Sequence, residues 1–209
     1  MQQVLIPLFP LQSVLFPRTP LPLHIFEARY REMIGEAIID KTEFGVVLAG
    51  SQGIANLGCS AIITRVVERH EDGRLDIETA GRRRFEIQSL NEDRPFLRGK
   101  VEYFDDDLEV PPSDTETIDR WKTMWQELSV VVGVESEPRW DDPQLSFQLA
   151  GAIPDLGFRQ SLLPMRSEAR RIRELAEFFP RFLAEQRQVH HIQTVAPRNG
   201  HGKRKIEEM

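Results

Sequence analysis

The chain has 209 residues, 40% of them hydrophobic, with 33 acidic against 27 basic side chains and a net charge of −6. This is enough apolar material to bury a core for one large or two small domains, and the negative balance argues against nucleic acid as a partner. A single cysteine, Cys59, excludes an internal disulfide, and no stretch approaches the roughly 18 apolar residues of a membrane span.

The opening, Ile6-Pro7-Leu8-Phe9-Pro10 through Phe16-Pro17, lacks a preceding positive segment, and its prolines interrupt any inserting helix. A signal peptide is therefore not expected, and cytoplasmic residence with no membrane partner is. The same stretch predicts short apolar strands stopped by prolines, which lack the N–H a central strand needs. Strands are placed near 3–8 and 21–25, and a helix over 27–39 follows. Its apolar positions Tyr30, Met33, Ile34, Ala37 and Ile38 recur at steps of three and four, so one face packs while Arg29, Arg31, Glu32 and Glu36 stay solvated.

Further strands are predicted near 43–49, 59–70, 74–80, 83–90 and 97–104. The Asp72-Gly73 pair joins two of them as a hairpin, because glycine takes the positive φ that a tight turn demands. A mostly antiparallel barrel with one inserted helix is the natural product. Cys59 lies in the apolar run Leu57 to Ile63 beside no His or Lys, as a buried structural thiol would. Beyond Tyr103 the composition turns to Asp105-Asp106-Asp107, Glu109 and Pro111-Pro112, and a linker and domain boundary are placed there.

Helices are predicted beyond it. Ser113-Asp114-Thr115-Glu116 has the form of a capping box ahead of the stripe Ile118, Trp121, Trp125, Leu128 and Val132, whose helical spacing marks the two tryptophans as core rather than ligand cage. Asp142 is expected to cap a second helix with Pro143 at its first position. A last helix over about 167–188 buries Ile172, Leu175, Ala176, Phe179, Phe182 and Leu183, and Pro180 is expected to kink it. Residues 190–209 read as a mobile tail, where His190, His191 and His201 lack the spacing of a metal site.

Chemical constellations are sparse. His24 and Glu27 have no second histidine at zincin spacing, and Asp105 to Asp107 lack the alternating ligands of a calcium loop, so neither is assigned a metal. Gly50, Gly53 and Gly58 have no following lysine and do not form a phosphate loop. The basic groups Arg82-Arg83-Arg84 and Arg170-Arg171 with Arg173 read as solvated, charge-compensated surface.

Several blocks together carry a family resemblance: Pro22-Leu23-His24-Ile25-Phe26-Glu27-Ala28-Arg29-Tyr30-Arg31, Phe44-Gly45-Val46-Val47-Leu48, Leu57-Gly58-Cys59 with Ala61-Ile62-Ile63, and Gly81-Arg82-Arg83-Arg84-Phe85-Glu86-Ile87. Asp142-Pro143, Ala150, Ile153-Pro154 and Gln160-Ser161-Leu162-Leu163 continue it, so that the span is about 4–188. In this order they resemble the N-terminal, substrate-binding domain of Lon proteases. The resemblance implies an α+β fold: a PUA-like, mostly antiparallel β-barrel with an inserted helix over 1–110, then a C-terminal α-helical subdomain over 111–189 and the tail.

It further implies a non-catalytic polypeptide-recognition module, free-standing and lacking the Lon ATPase and protease, that acts as an adaptor or regulator in protein quality control. Its expected partners are unfolded or tagged polypeptide and a protease or chaperone. No catalytic residue, cofactor or metal is assigned. Trp140 and Phe158, aromatics outside any helical stripe, are the candidate polypeptide contacts, and each equally fits a buried junction between barrel and helices. Two alternatives stand beside this reading, an RNA-binding PUA-like protein and a peptide hydrolase of unrecognised type.

Overall fold

The computed structural model describes residues 3–51, 53–108, 115–134 and 136–195. In chain order the elements are β1 (Val4–Leu11), β2 (Pro20–Ile25), α1 (Ala28–Asp40), β3 (Phe44–Gly50), β4 (Gly53–Arg69), β5 (Leu75–Asn91), β6 (Arg98–Phe104), α2 (Thr115–Val132), α3 (Leu145–Gly151), α4 (Leu156–Leu162) and α5 (Glu168–Val195). The arrangement is α+β. The sheet runs β2-β5-β4-β3-β1-β6, and a further β5–β6 pairing closes five of its strands on themselves. All pairings are antiparallel except β1–β3.

Two strands differ from expectation for physical reasons. β1 continues through Pro7 and Pro10 instead of stopping, because Val4 to Pro7 pairs with β6 and Leu8 to Leu11 with β3. Among the described residues each half thus has a strand partner on one side, and a missing N–H can point to the other. The two strands expected over 74–80 and 83–90 are one, β5. Its first half, Leu75 to Ala80, pairs with β2, and its second half, from Arg84, pairs with β6. Gly81 lies at the change of partner, with its amide donating to the Thr19 carbonyl and its carbonyl accepting from Arg18. A Cβ there would stand 2.0 Å from the Phe16 carbonyl oxygen, so only glycine lets the two backbones approach this closely.

Alternate residues feed two cores. Phe9 and Val46 join Ile25, Phe44, Cys59, Ala61 and Ile77 under the Tyr30, Met33, Ile34 and Ala37 face of α1. Leu8 and Val47 join Ile6, Phe85 and Val101 on the other side. The hairpin is as expected, with Gly73 at φ 84° and its amide bonded to the His70 carbonyl at 2.9 Å. Cys59 is fully buried, and burial pushes its thiol up to about 12. It is a packing residue.

The chain divides into two compact units, Met1–Pro111 with Pro138–Arg171, and Pro112–Glu137 with Ile172–Met209. This division differs from the expected one at 110 and 189, since residues 138–171 group with the strands. Residues 190–195 continue α5, and the rest of the expected tail, with His201, lies outside the described residues, as do Ser113, Asp114 and the side chains of Glu116, His190 and His191. In the first unit α3 begins later than expected. Gln144 occupies its cap position, and Asp142 instead accepts the Gln144 amide at 2.9 Å. In the second unit Trp121 meets Phe179 edge to face at 5.4 Å, with Trp125, Leu128, Leu175 and Phe182 buried, which makes both tryptophans core residues. α5 runs on through Pro180. Among the described residues no helix is long and apolar enough to cross a membrane.

Gly81→Ala is expected to cost at least about 1–3 kcal/mol, as an overpacked site does. Gly35→Ala, in open space inside α1, should stabilise by about 0.5–1 kcal/mol. Thermal denaturation of the two variants should therefore shift in opposite directions.

Candidate recognition site

The first unit carries a groove of about 340 Å³ lined by Ala37, Ile38, Lys41 and Thr42 at the end of α1 and by Ile62 to Val66 of β4. Its position follows from strand length. β4 has 17 residues, but β3 begins at Phe44, which pairs with Ala61. Residues 62–69 consequently have β5 on one side and, among the described residues, no strand on the other. Ile38, Ile63 and Val66 are half-buried against the α1 core, while Lys41, Thr64 and Arg65 reach solvent at the rim. Register shifts beside Ile63 and Val66 bend this stretch, and Thr64, at the first of them, turns its hydroxyl to the Glu78 carbonyl at 3.0 Å. The other outer strand is blunted. β2 carries Pro20 and Pro22, which offer no amide to a further strand. An unpaired backbone edge above apolar side chains is suited to an extended chain.

Neither aromatic expected to contact polypeptide lines this groove. Trp140 is half-buried in the turn ahead of α3, and Phe158 is half-buried in α4, with its amide donating to the Asp155 cap at 2.9 Å. Both ride on the segment 138–171, which is held to the strands by charged groups expected in solvent.

Arg84 and Arg171 are not surface residues, being 1% and 0% exposed. Asp106, read as part of a solvated linker, lies between them. It accepts from Arg84 at 2.5 Å and from both terminal nitrogens of Arg171 at 2.6 and 2.7 Å, and Gln144 donates to it at 2.8 Å. Arg84 also donates to the carbonyls of Leu163 and Met165 at 2.8 and 2.6 Å. Glu168 completes the set, pairing with Arg171 at 2.7 Å and accepting the amide and hydroxyl of Ser146 at 2.8 and 2.6 Å. Two guanidinium groups and two carboxylates balance, and the Phe147 ring lies 4.2 Å from the Arg171 guanidinium carbon. Buried charges persist only when paired and hydrogen-bonded in this way.

The two carboxyls shift in opposite directions, although burial raises both. Burial pushes Glu168 up, against the bonds from Ser146 and Arg171. Burial acts on Asp106 too, but the hydrogen bonds from Arg171 and Gln144 and the two positive charges outweigh it and hold the carboxyl below its ordinary value. The remaining arginines of these clusters that carry ion pairs do so at the surface, Arg83 with Asp105 at 2.6 Å and Arg82 with Glu43 at 3.6 Å. A separate surface group, His24, His70 and Asp76, is the one set of metal-type donors brought together among the described residues.

Residues 5–181 match the profile of the ATP-dependent protease La (LON) substrate-binding domain. The chain belongs to this family. A Lon protease of Parabacteroides distasonis is 34% identical over 110 residues, which is 48% of this chain but 13% of that protein. The crystal structure of a Lon N-terminal domain protein from Xanthomonas campestris superimposes with a TM-score of 0.67 at 27% identity, covering 84% of this chain and 98% of that one. The N-terminal domain of the Mycobacterium avium complex Lon protease shares the fold, with a TM-score of 0.61 at 16% identity over 85% of this chain and 98% of that one. The Lon-domain resemblance of the strand and helix blocks, and the α+β class it implied, are thereby confirmed.

Asp106→Ala should lower stability by about 3–5 kcal/mol, because it leaves buried Arg84 with no carboxylate and Arg171 with Glu168 alone. Since the folded Asp106 carboxyl titrates below its unfolded value near 3.9, its contribution is complete above that value and is lost as pH falls through the folded one. Glu168, raised on folding, works in the opposite sense, losing stability as pH rises from its unfolded value near 4.3. Urea midpoints at about pH 7 and pH 3 should therefore differ less in Asp106→Asn than in the unsubstituted protein.

Proposed function

We propose that the strand-rich unit recognises extended polypeptide in the groove between α1 and β4, as an adaptor or regulator that presents unfolded or tagged chains to a protease or chaperone. The observation that carries this reading is the unpaired edge of β4 at residues 62–66, set beside apolar side chains of α1. Backbone bonds to such an edge are indifferent to sequence, while the apolar lining favours chains that expose hydrophobic side chains, as unfolded ones do. The family's description as a substrate-binding domain supports the same reading. The RNA alternative required the arginines of 82–84 and 170–173 to converge on one positive surface. Instead Arg84 and Arg171 converge inward on Asp106, and Arg82 and Arg83 are met by carboxylates. Trp140 and Phe158 enter the proposal as further contacts, each residue being half-buried.

Fluorescence anisotropy against a labelled, permanently unfolded polypeptide and a labelled single-stranded RNA is the test. Saturable polypeptide binding that survives physiological salt is expected, and Ile38→Ser with Val66→Ser should weaken it roughly tenfold, about 1.4 kcal/mol. RNA binding that fades with salt, with no polypeptide binding, would contradict the proposal. Trp140→Ala and Phe158→Ala should each weaken binding about fivefold with little change in Tm. A large fall in Tm would make them packing residues instead.

A further inference from the structure

Away from the groove, three strands bring together side chains that are far apart in sequence. His24 of β2 pairs in register with Asp76 of β5, which pairs on its other side with Glu68 of β4. Cross-strand partners share a face of the sheet, so the three side chains form a row. His70, two residues after Glu68, returns to that face, its amide fixed to the Arg74 carbonyl at 2.9 Å by the Gly73 turn. The Asp76 carboxylate accepts from His24 Nδ1 at 2.6 Å through one oxygen and from His70 Nε2 at 2.7 Å through the other. We propose that His24, His70 and Asp76 form a binding site for a divalent transition-metal cation of the zinc type.

Two imidazoles and one carboxylate are a borderline donor set that suits Zn²⁺, Co²⁺ or Ni²⁺, whereas Ca²⁺ and Mg²⁺ prefer oxygen alone. One donor atom from each residue can be chosen so that all lie within 4.8 Å of one another. Donors around a tetrahedral Zn²⁺, at about 2.0–2.1 Å from the ion, stand about 3.3 Å apart. Side-chain movements on the order of 1 Å therefore convert the carboxylate-bridged pair into a ligand set, with the coordinating nitrogens giving up their protons. The surroundings fit this use. Glu68 Oε1 lies 3.6 Å from His70 Nδ1, a nearby negative charge on the ring side opposite the ion, and Phe26 stacks beside the His24 ring at 6.1 Å. The side chains of His24, His70 and Asp76 are 46%, 24% and 33% exposed, so an ion can enter and water can complete its shell. Bound there, the ion would tie the outer strand β2 to the β4–β5 hairpin, an effect independent of polypeptide binding.

The experiment is calorimetric titration of Zn²⁺ into the full chain carrying His190→Ala, His191→Ala and His201→Ala, which leaves only His24 and His70 as histidine ligands. Saturable 1:1 binding is expected, with the visible absorption of a tetrahedral site when Co²⁺ replaces Zn²⁺, and a Tm rise of about 5–11 °C at free Zn²⁺ 100 times the Kd. Adding His24→Ala or Asp76→Asn should weaken binding at least about tenfold. Absence of saturable binding in the triple variant would overturn the proposal, as would binding that His24→Ala and Asp76→Asn leave unchanged.

Discussion

Asp106 lies between two guanidinium groups that water hardly reaches, and the first unit is organised around that contact. Arg84 is the first residue of β5 to pair with β6 after Gly81 has released β2. Its side chain turns inward there, and an inward charge is tolerable only with a counter-charge and bonds for its remaining protons. Asp106, just past β6, supplies the counter-charge. Leu163 and Met165 supply carbonyls, and Arg171 is held on the same carboxylate. One ionic cluster thereby fixes the end of the last strand, the segment carrying α3 and α4, and the first turn of α5. Removing Asp106 would leave Arg84 buried without a counter-charge, and the bonds of Asp106 to Gln144 and Arg171, with those of Arg84 to Leu163 and Met165, tie the segment 138–171 to the strands.

The change of partner along β5 also shapes the face proposed for recognition. Because the first half of β5 serves β2 and the second serves β6, β4 must be equally long to follow it, and β3 is too short to accompany β4 to its end. The exposed edge at 62–69 is thus a by-product of unequal strand lengths. Edges of this kind are hazards that proteins blunt, as the prolines of β2 do here. Along 62–69 β4 is instead bent by two register shifts and flanked by the last turn of α1.

Much of the fold was legible in local pattern. The α1 stripe, the Asp-Gly turn and the tryptophan spacing of α2 each rest on a short-range rule, and each is found as expected. What could not be read locally depended on partners distant in sequence. Arg84 sits in a run of three arginines and Asp106 in a run of three aspartates, so composition made both look solvated, although alternation along a strand does separate Arg84 from Arg83. Glu168 and Arg171, three apart on a helix, look like an ordinary surface pair until Ser146 closes over them. His24 has no second histidine at zincin spacing, and its partner His70 is 46 residues away, reached only through strand register. The groove, too, exists only because of where β3 begins. Trp140 and Phe158 stood out for lacking a helical stripe, and that pattern says nothing of how much of each ring is open.

Amide hydrogen exchange of the full chain, alone and saturated with an unfolded polypeptide, tests the central claim most directly. New backbone bonds to the β4 edge should slow exchange at residues 62–66 together with the last turn of α1 at 37–42. Unchanged exchange at 62–66 on saturation with the polypeptide, whatever is protected elsewhere, would contradict it.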